Sequence, residues 1–201
     1  MRSRDGRGSL VETYLASRGI RPDLWPSTIR FLGANPPNHL HPTLIAAYGI
    51  PREVAPGVLA IGLAEVVGVQ LTYLRSDGSA KAPIGIQKRS IGRGHIAPIV
   101  LAPLNDSLGL VIAEGVEDAL SLHIETGLGA WAAGGAGRMP ALAEPVPEHA
   151  DNVTIAADDN DAGRKGAHGL YERLRERRIR VELIFLDQHS NKGGRDGIPT
   201  A

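Results

Sequence analysis

Two short segments of the chain hold carboxylates where they could do chemistry together. In LVIAEGVEDALSLH, residues 110–123, Glu114 directly follows an apolar run. In VTIAADDNDAGRKGA, residues 153–167, Asp158, Asp159 and Asp161 directly follow another. Both runs are short and contain β-branched residues, which predicts buried strands. Each leads into a sequence of helical character. In a parallel α/β sheet the carboxyl ends of the strands share one edge, and ligands bind there. Carboxylates crowded at such an edge repel one another. A hard divalent cation, Mg²⁺ or Mn²⁺, removes the repulsion and then becomes the chemical tool of the site.

The elements that must position these residues alternate from Leu110 onward. The pattern predicts strand 110–113, helix 116–126, strand 129–133, helix 138–143, strand 153–157, helix 162–178 and strand 180–186. Val116, Ala119, Leu120, His123 and Ile124 share one face of the first helix, and Gly127 is placed to end it. Glu117 and Asp118 fall in its first turn and read as solvated helix residues. Ala167, Leu170 and Leu174 make the apolar stripe of the long helix, with Asp161 a candidate N-cap. Its run from Arg173 to Arg180 alternates with Glu172 and Glu176, the pattern of a solvated face.

Upstream the pattern differs. Residues 1–8 are basic and glycine-rich, which predicts a disordered tail. Ser9-Leu-Val-Glu12 reads as a capping box opening a helix that Gly19 stops. Prolines then recur from Pro22 to Pro56, with a short helix expected near Thr43–Tyr48. Strands are expected near 58–61, 66–74 and 84–90, with Ser76-Asp-Gly-Ser79 as a turn between the last two. Asn105-Asp-Ser-Leu-Gly109 is a polar turn that bounds the next part. The expected organisation is therefore a tail at 1–8, a smaller α+β segment at 9–105, an α/β domain with a mainly parallel sheet flanked by helices at 106–190, and a flexible tail at 191–201.

A glutamate–glycine turn after one strand, followed by an aspartate-rich turn ending in Ala162-Gly163 after a later one, resembles the Toprim domain. The wording EGVEDALS and IAADDNDAGRKGA is most similar to Toprim primases of phages and mobile elements. VGVQLTYLRSDGSAKAPIGIQKRSIG, residues 67–92, is similar to the region preceding Toprim in those primases. The resemblance implies a metal-dependent nucleotidyltransferase, a DNA-directed RNA polymerase that joins nucleoside triphosphates into short RNA primers on single-stranded DNA during DNA replication. Mg²⁺ or Mn²⁺ would be its cofactor, and Glu114 would act in acid–base or metal chemistry. A Toprim nuclease and a nucleic-acid-binding accessory module with a decayed site are the alternatives.

The family pattern is Asp-x-Asp, one residue, then Ala-Gly. Counting back from Ala162-Gly163 without a gap places it on Asp158 and Asn160, so a neutral amide replaces the second carboxylate. A loop one residue shorter would place it on Asp159 and Asp161. In a third arrangement Asp158 and Asp161 ligate, with Asn160 as an uncharged oxygen donor. The catalytic candidates are thus Glu114, Asp158 and Asp161, and the metal candidates add Asp159 and Asn160. The resemblance also implies that KAPIGIQKRSIGRG faces the metal site. Lys81, Lys88, Arg89 and Arg93 are then candidates for nucleotide and template phosphates, joined by Arg164 and Lys165 at the start of the helix after the aspartates.

Composition narrows the surroundings. The 201 residues carry 22 basic and 22 acidic side chains, so no global field draws the chain to nucleic acid and local basic patches must do so. There is no cysteine, which excludes disulfides and cysteine-ligated zinc and suits a reducing, cytoplasmic setting. No apolar run is long enough to span a bilayer, and no GxxxxGK[ST] loop of a helicase motor occurs. A replicative helicase or a zinc-module protein is therefore an expected partner.

Overall fold

The computed structural model describes residues 2–56, 58–92 and 96–187, which leaves Arg93 and the 191–201 tail outside the described residues. Its first part runs β1 (Arg4–Asp5), α1 (Leu10–Ser17), β2 (Ile29–Leu32), β3 (Thr43–Tyr48), β4 (Arg52–Ala55), β5 (Val58–Ala60), β6 (Gly68–Tyr73) and β7 (Lys88–Gly92). Strands β1-β2-β3-β6-β7 form an antiparallel sheet in that order, and β4 and β5 pair as a separate hairpin. The second part runs β8 (Ile99–Ala102), β9 (Gly109–Ala113), α2 (Val116–Thr126), β10 (Gly129–Ala132), a 3-10 helix (Ala136–Ala143), β11 (Asn152–Asp158), α3 (Asp161–Glu176) and β12 (Arg180–Leu186). Its sheet has the order β12-β11-β9-β10-β8 and is parallel except where β8 meets β10. This is the Toprim-type α/β arrangement that the sequence implies.

The second sheet reads as continuous apolar runs because both its faces are covered. Successive strand residues point to opposite faces. Leu110, Ile112, Val153, Ile155 and Ala157 thus pack with Ala167, Leu170 and Leu174 of α3. Val111, Ala113 and Ala156 pack instead with Val116, Ala119 and Leu120 of α2. That second core does not stop at the boundary expected near residue 105. It continues into Val11, Tyr14 and Leu15 of α1 and into Ile29, Phe31, Leu44 and Tyr48 of the antiparallel sheet. One apolar core therefore joins the two parts.

Several expectations are corrected. Thr43–Tyr48 is not a helix but strand β3, at the centre of its sheet. It is buried on both faces, so the alternation that marks a half-exposed strand is missing. Residues 1–8 were expected to be disordered, yet β1 pairs with β2 through Arg4↔Phe31 and Asp5↔Arg30. The Arg4 guanidinium also lies 4.9 Å from the Phe31 ring. The expected helix 138–143 is a 3-10 helix containing Pro140, whose ring removes an amide donor from the ladder. β8, between Pro98 and Pro103, was not expected at all and joins the edge of the second sheet. Ser9 caps α1 by accepting from the Val11 amide, whereas Glu12 receives the Gly8 amide rather than completing a reciprocal box with Ser9. Among the described residues no helix is long and apolar enough to cross a membrane.

The 3-10 helix and α3 approach very closely. A Cβ on Gly166 would lie 2.3 Å from the carbonyl oxygen of Ala136. Gly166→Ala must push the two elements apart and should cost about 1–3 kcal/mol. Urea unfolding would show a lower midpoint at unchanged slope; an unchanged midpoint would mean that the contact is looser than described.

Candidate active site

The two acidic segments meet because β9 and β11 are adjacent and parallel, with Ala113 opposite Ala156. Glu114 is the first residue past β9, and its main chain is held from both sides. Its amide donates to Ala156 O (3.1 Å), while its carbonyl accepts from the amides of Gly134 (2.9 Å) and Gly135 (3.2 Å) beyond β10. Gly134 has φ +77°, and a Cβ there would lie 2.2 Å from the Tyr48 hydroxyl, so the clamp requires glycine. Asp158 ends β11 at the same sheet edge. Asp118, in the first turn of α2, joins them on the wall of a cleft of about 1090 Å³. Arg18, Gln70, Lys81 and Lys88 of the first part also line this cleft.

These carboxylates are under electrostatic load. Burial raises the Glu114 carboxyl above its ordinary range, and the charge of Asp158, then that of Asp118, adds to the rise; the amides of Ala136 and Asp158 oppose it. Burial likewise raises Asp118, followed by the charges of Glu117 and Asp158. Glu114 Oε2 is buried without a hydrogen-bond partner. Among the described residues no three His, Asp or Glu side chains converge as a ready-made metal cage. Mg²⁺ does not require one, since it keeps several waters and is commonly held by one or two carboxylates plus substrate phosphates. A buried orphan carboxylate oxygen beside two further acids fits such a cation.

The aspartate turn sorts its members. Asp158 faces the cleft. Asn160, rather than Asp161, is the N-cap of α3, its Oδ1 accepting from the Gly163 amide at 2.9 Å. Asp159 is ion-paired with Arg164, whose guanidinium lies 4.6 Å from the Phe185 ring. Asp161 is exposed in the first turn of α3. Neither Arg164 nor the exposed Lys165 lines the cleft. Arg89 is exposed and follows Lys88 on β7, so it points to the other face of its sheet.

Glu117 is not the solvated residue that its position in the first turn of α2 suggests. It is only 5% exposed. It accepts from the Tyr14 hydroxyl at 2.8 Å and pairs with Lys81 Nζ at 2.9 Å and Lys88 Nζ at 3.1 Å. Burial alone would raise its carboxyl; the charges of Lys88 and Lys81, with the bonds from Lys81 and Tyr14, outweigh it and hold the group well below the ordinary range. The Tyr14 hydroxyl is pushed up, first by burial and then by Glu117. Lys81 is lowered by its own burial, while for Lys88 the pull of Glu117 overcomes burial and raises it. The apolar face of α2 is also narrower than expected. Ile124 is 45% exposed, and His123 Nδ1 lies 2.6 Å from Leu128 O.

Comparison with known proteins agrees with this geometry. Residues 109–196 match the Toprim domain, and residues 1–101 match a domain of unknown function, DUF7146. The second part of the chain is thus a Toprim domain. Because the second match covers half of the chain's 201 residues, the chain belongs to the DUF7146 family. It is similar to the primase fragment of the bacteriophage T7 primase-helicase protein, with TM-score 0.51 and 12% identity over 86% of this chain and 61% of that one. It is also similar to the zinc-binding and RNA polymerase domains of the Aquifex aeolicus primase, with TM-score 0.54 and 17% identity over 90% of this chain and 50% of that one. At such identities the likeness is one of fold, and the chain spans little more than half the length of these structures. No curated protein matches it.

Two stability measurements follow. A raised carboxyl favours the folded protein when protonated, so ionising Glu114 costs stability as pH rises above its ordinary value. Glu114→Gln should raise the melting temperature of metal-free protein at pH 7, by about 2–4 °C per kcal/mol of repulsion relieved. The gain should vanish below about pH 4, and Mg²⁺ should stabilise the parent more than the variant. Glu117 has the opposite sign: its depressed pKa contributes stability above the ordinary glutamate value that is lost as pH falls below it. Glu117→Gln should lose about 2–4 kcal/mol at pH 7, less than a fully buried pair because both lysine side chains are partly exposed. That loss should begin to shrink below the ordinary glutamate value, where the unfolded parent takes up a proton that folded Glu117 does not, and urea melts from pH 7 to pH 3 would reveal it.

Proposed function

We propose that this chain is the polymerising core of a primase: a metal-dependent nucleotidyltransferase that makes short RNA primers on single-stranded DNA during DNA replication in the cytoplasm. One observation carries the reading. Carboxylates at the strand ends of a parallel sheet face cationic side chains of the preceding part across a single cleft. That arrangement suits a triphosphate, which needs a divalent cation on one side and basic groups on the other. Template, helicase and zinc-module partners would engage the same core.

A bound Mg²⁺ or Mn²⁺ would polarise phosphoryl oxygens and favour the ionised form of the attacking 3′-hydroxyl. Glu114 and Asp158 would hold it, with Asp118 beside them. The Glu114 carboxylate oxygen that the cation leaves free would be placed to take a proton from the attacking group. Gly134 and Gly135 keep this carboxylate at the cleft by fixing the main chain behind it. The reading of a decayed site rested on Asn160 replacing an aspartate. Asn160 works here as a helix cap, and Asp158 still reaches the cleft, which favours an active site.

A template-dependent assay with labelled nucleotides tests the proposal, since extension, cleavage and binding alone are distinct outcomes. Glu114→Gln and Asp158→Ala should each lower primer synthesis by about 100-fold or more, with the fold retained. Asp159→Ala and Asp161→Ala should stay within a few-fold of the parent. Full turnover by Glu114→Gln would remove this glutamate from the active site.

A further inference from the structure

The two lysines of the cleft already share one internal partner. Lys81 and Lys88 share the buried carboxylate of Glu117, so part of their charge is spent inside the protein. Arg18 stands differently. It closes α1 as its C-cap residue and lines the same cleft as Glu114, Asp118 and Asp158. Among the described residues no carboxylate lies within ion-pair distance of its guanidinium. Its Nε is buried and without a hydrogen-bond partner, a costly state for a charged donor. The guanidinium sits 5.9 Å from the Tyr14 ring, which restricts its orientation without satisfying its N–H groups.

A cation held this way is prepared for an anion that arrives from outside. We propose that Arg18 is the principal phosphate-binding residue of the cleft and grips the polyphosphate tail of an incoming nucleoside triphosphate. The proposal deepens the primase reading and rests on it for the identity of the ligand. Arg18 acts electrostatically on both Asp118 and Lys81, so it borders the acidic wall and the lysine pair alike. A triphosphate carries several charges in a short span. It can give oxygens to a divalent cation on the carboxylate side and still offer others to the planar guanidinium fork. A lone phosphodiester spreads one charge over two free oxygens and serves both partners more weakly. The lysines then tune the field while Glu117 keeps them in place.

Isothermal titration of the full chain with inorganic tripolyphosphate, with and without Mg²⁺, tests this. The parent should bind, and Arg18→Ala should bind about tenfold more weakly or worse. Arg18→Lys should recover part of the loss, because it restores charge but not the fork. Arg21→Ala, on the exposed loop beyond α1 and outside this cleft, should bind as the parent does. Melting temperatures should change little in Arg18→Ala, since no hydrogen bond or close ion pair inside the protein is lost. Undiminished binding by Arg18→Ala, an equal loss in Arg21→Ala, or no binding by the parent would overturn the assignment. So would a requirement for Arg18 in binding a single-stranded oligonucleotide but not tripolyphosphate. If the parent makes no primer yet binds tripolyphosphate through Arg18, the primase reading falls and this assignment stands.

Discussion

The carboxylate of Glu117 is the point on which the two parts of the molecule are fastened. It lies at the start of α2, and its partners come from α1 through Tyr14, from the segment before β7 through Lys81 and from β7 itself through Lys88. A buried ion pair adds little net stability over apolar groups of the same volume, but losing one partner is costly. Its effect here is geometric. Tyr14 and both lysines can all reach this oxygen pair in one docking of the antiparallel sheet on α2. The same helix carries Asp118 and begins just after Glu114, so the docking also sets what faces the acids across the cleft.

The acidic edge is built against its own electrostatics. Glu114 and Asp158 come together because Ala113 and Ala156 are in register on neighbouring parallel strands. Main-chain bonds to Ala156, Gly134 and Gly135 then leave the Glu114 backbone no room to turn away. The result is a half-buried carboxyl with an unpartnered oxygen and raised proton affinity. Repulsion of this kind is tolerated where a cation is meant to relieve it. The apolar core beneath supplies the stability that makes it tolerable.

Charge is organised locally in a chain whose total is zero. In the aspartate turn, Asp159 is consumed by Arg164 and Asn160 by the first turn of α3. In the opposite wall, Glu117 takes up one of the two lysine charges and leaves one between them. Glu114, Asp118 and Asp158 line one side of the cleft, with Glu125 and Asp187 also on its lining, and Arg18 and the lysine pair line the other.

Local pattern decided much of this protein. Strand–Glu114–helix and strand–Asp158–helix, the end of α2 at Gly127 with its φ of +68°, and the turn at Asp77–Ser79 are all set by residues close in sequence. Periodicity and turn chemistry report such features directly. The rest depended on contacts between residues far apart. β3 lost its alternation because two neighbouring strands and two covered faces bury all of it. β8 became a strand because β10 offered it an edge. The gap-free and shortened registers of the aspartate turn are equal in sequence, and the cap to Gly163 together with the pair to Arg164 turned only Asp158 to the cleft. Glu117 looks like any first-turn glutamate until Tyr14, 103 positions away, brings its hydroxyl to it. Arg18 looks like the end of a short helix until the fold sets it opposite the acids. Periodicity tells which face of an element is apolar; what lies against that face is decided when the chain closes on itself.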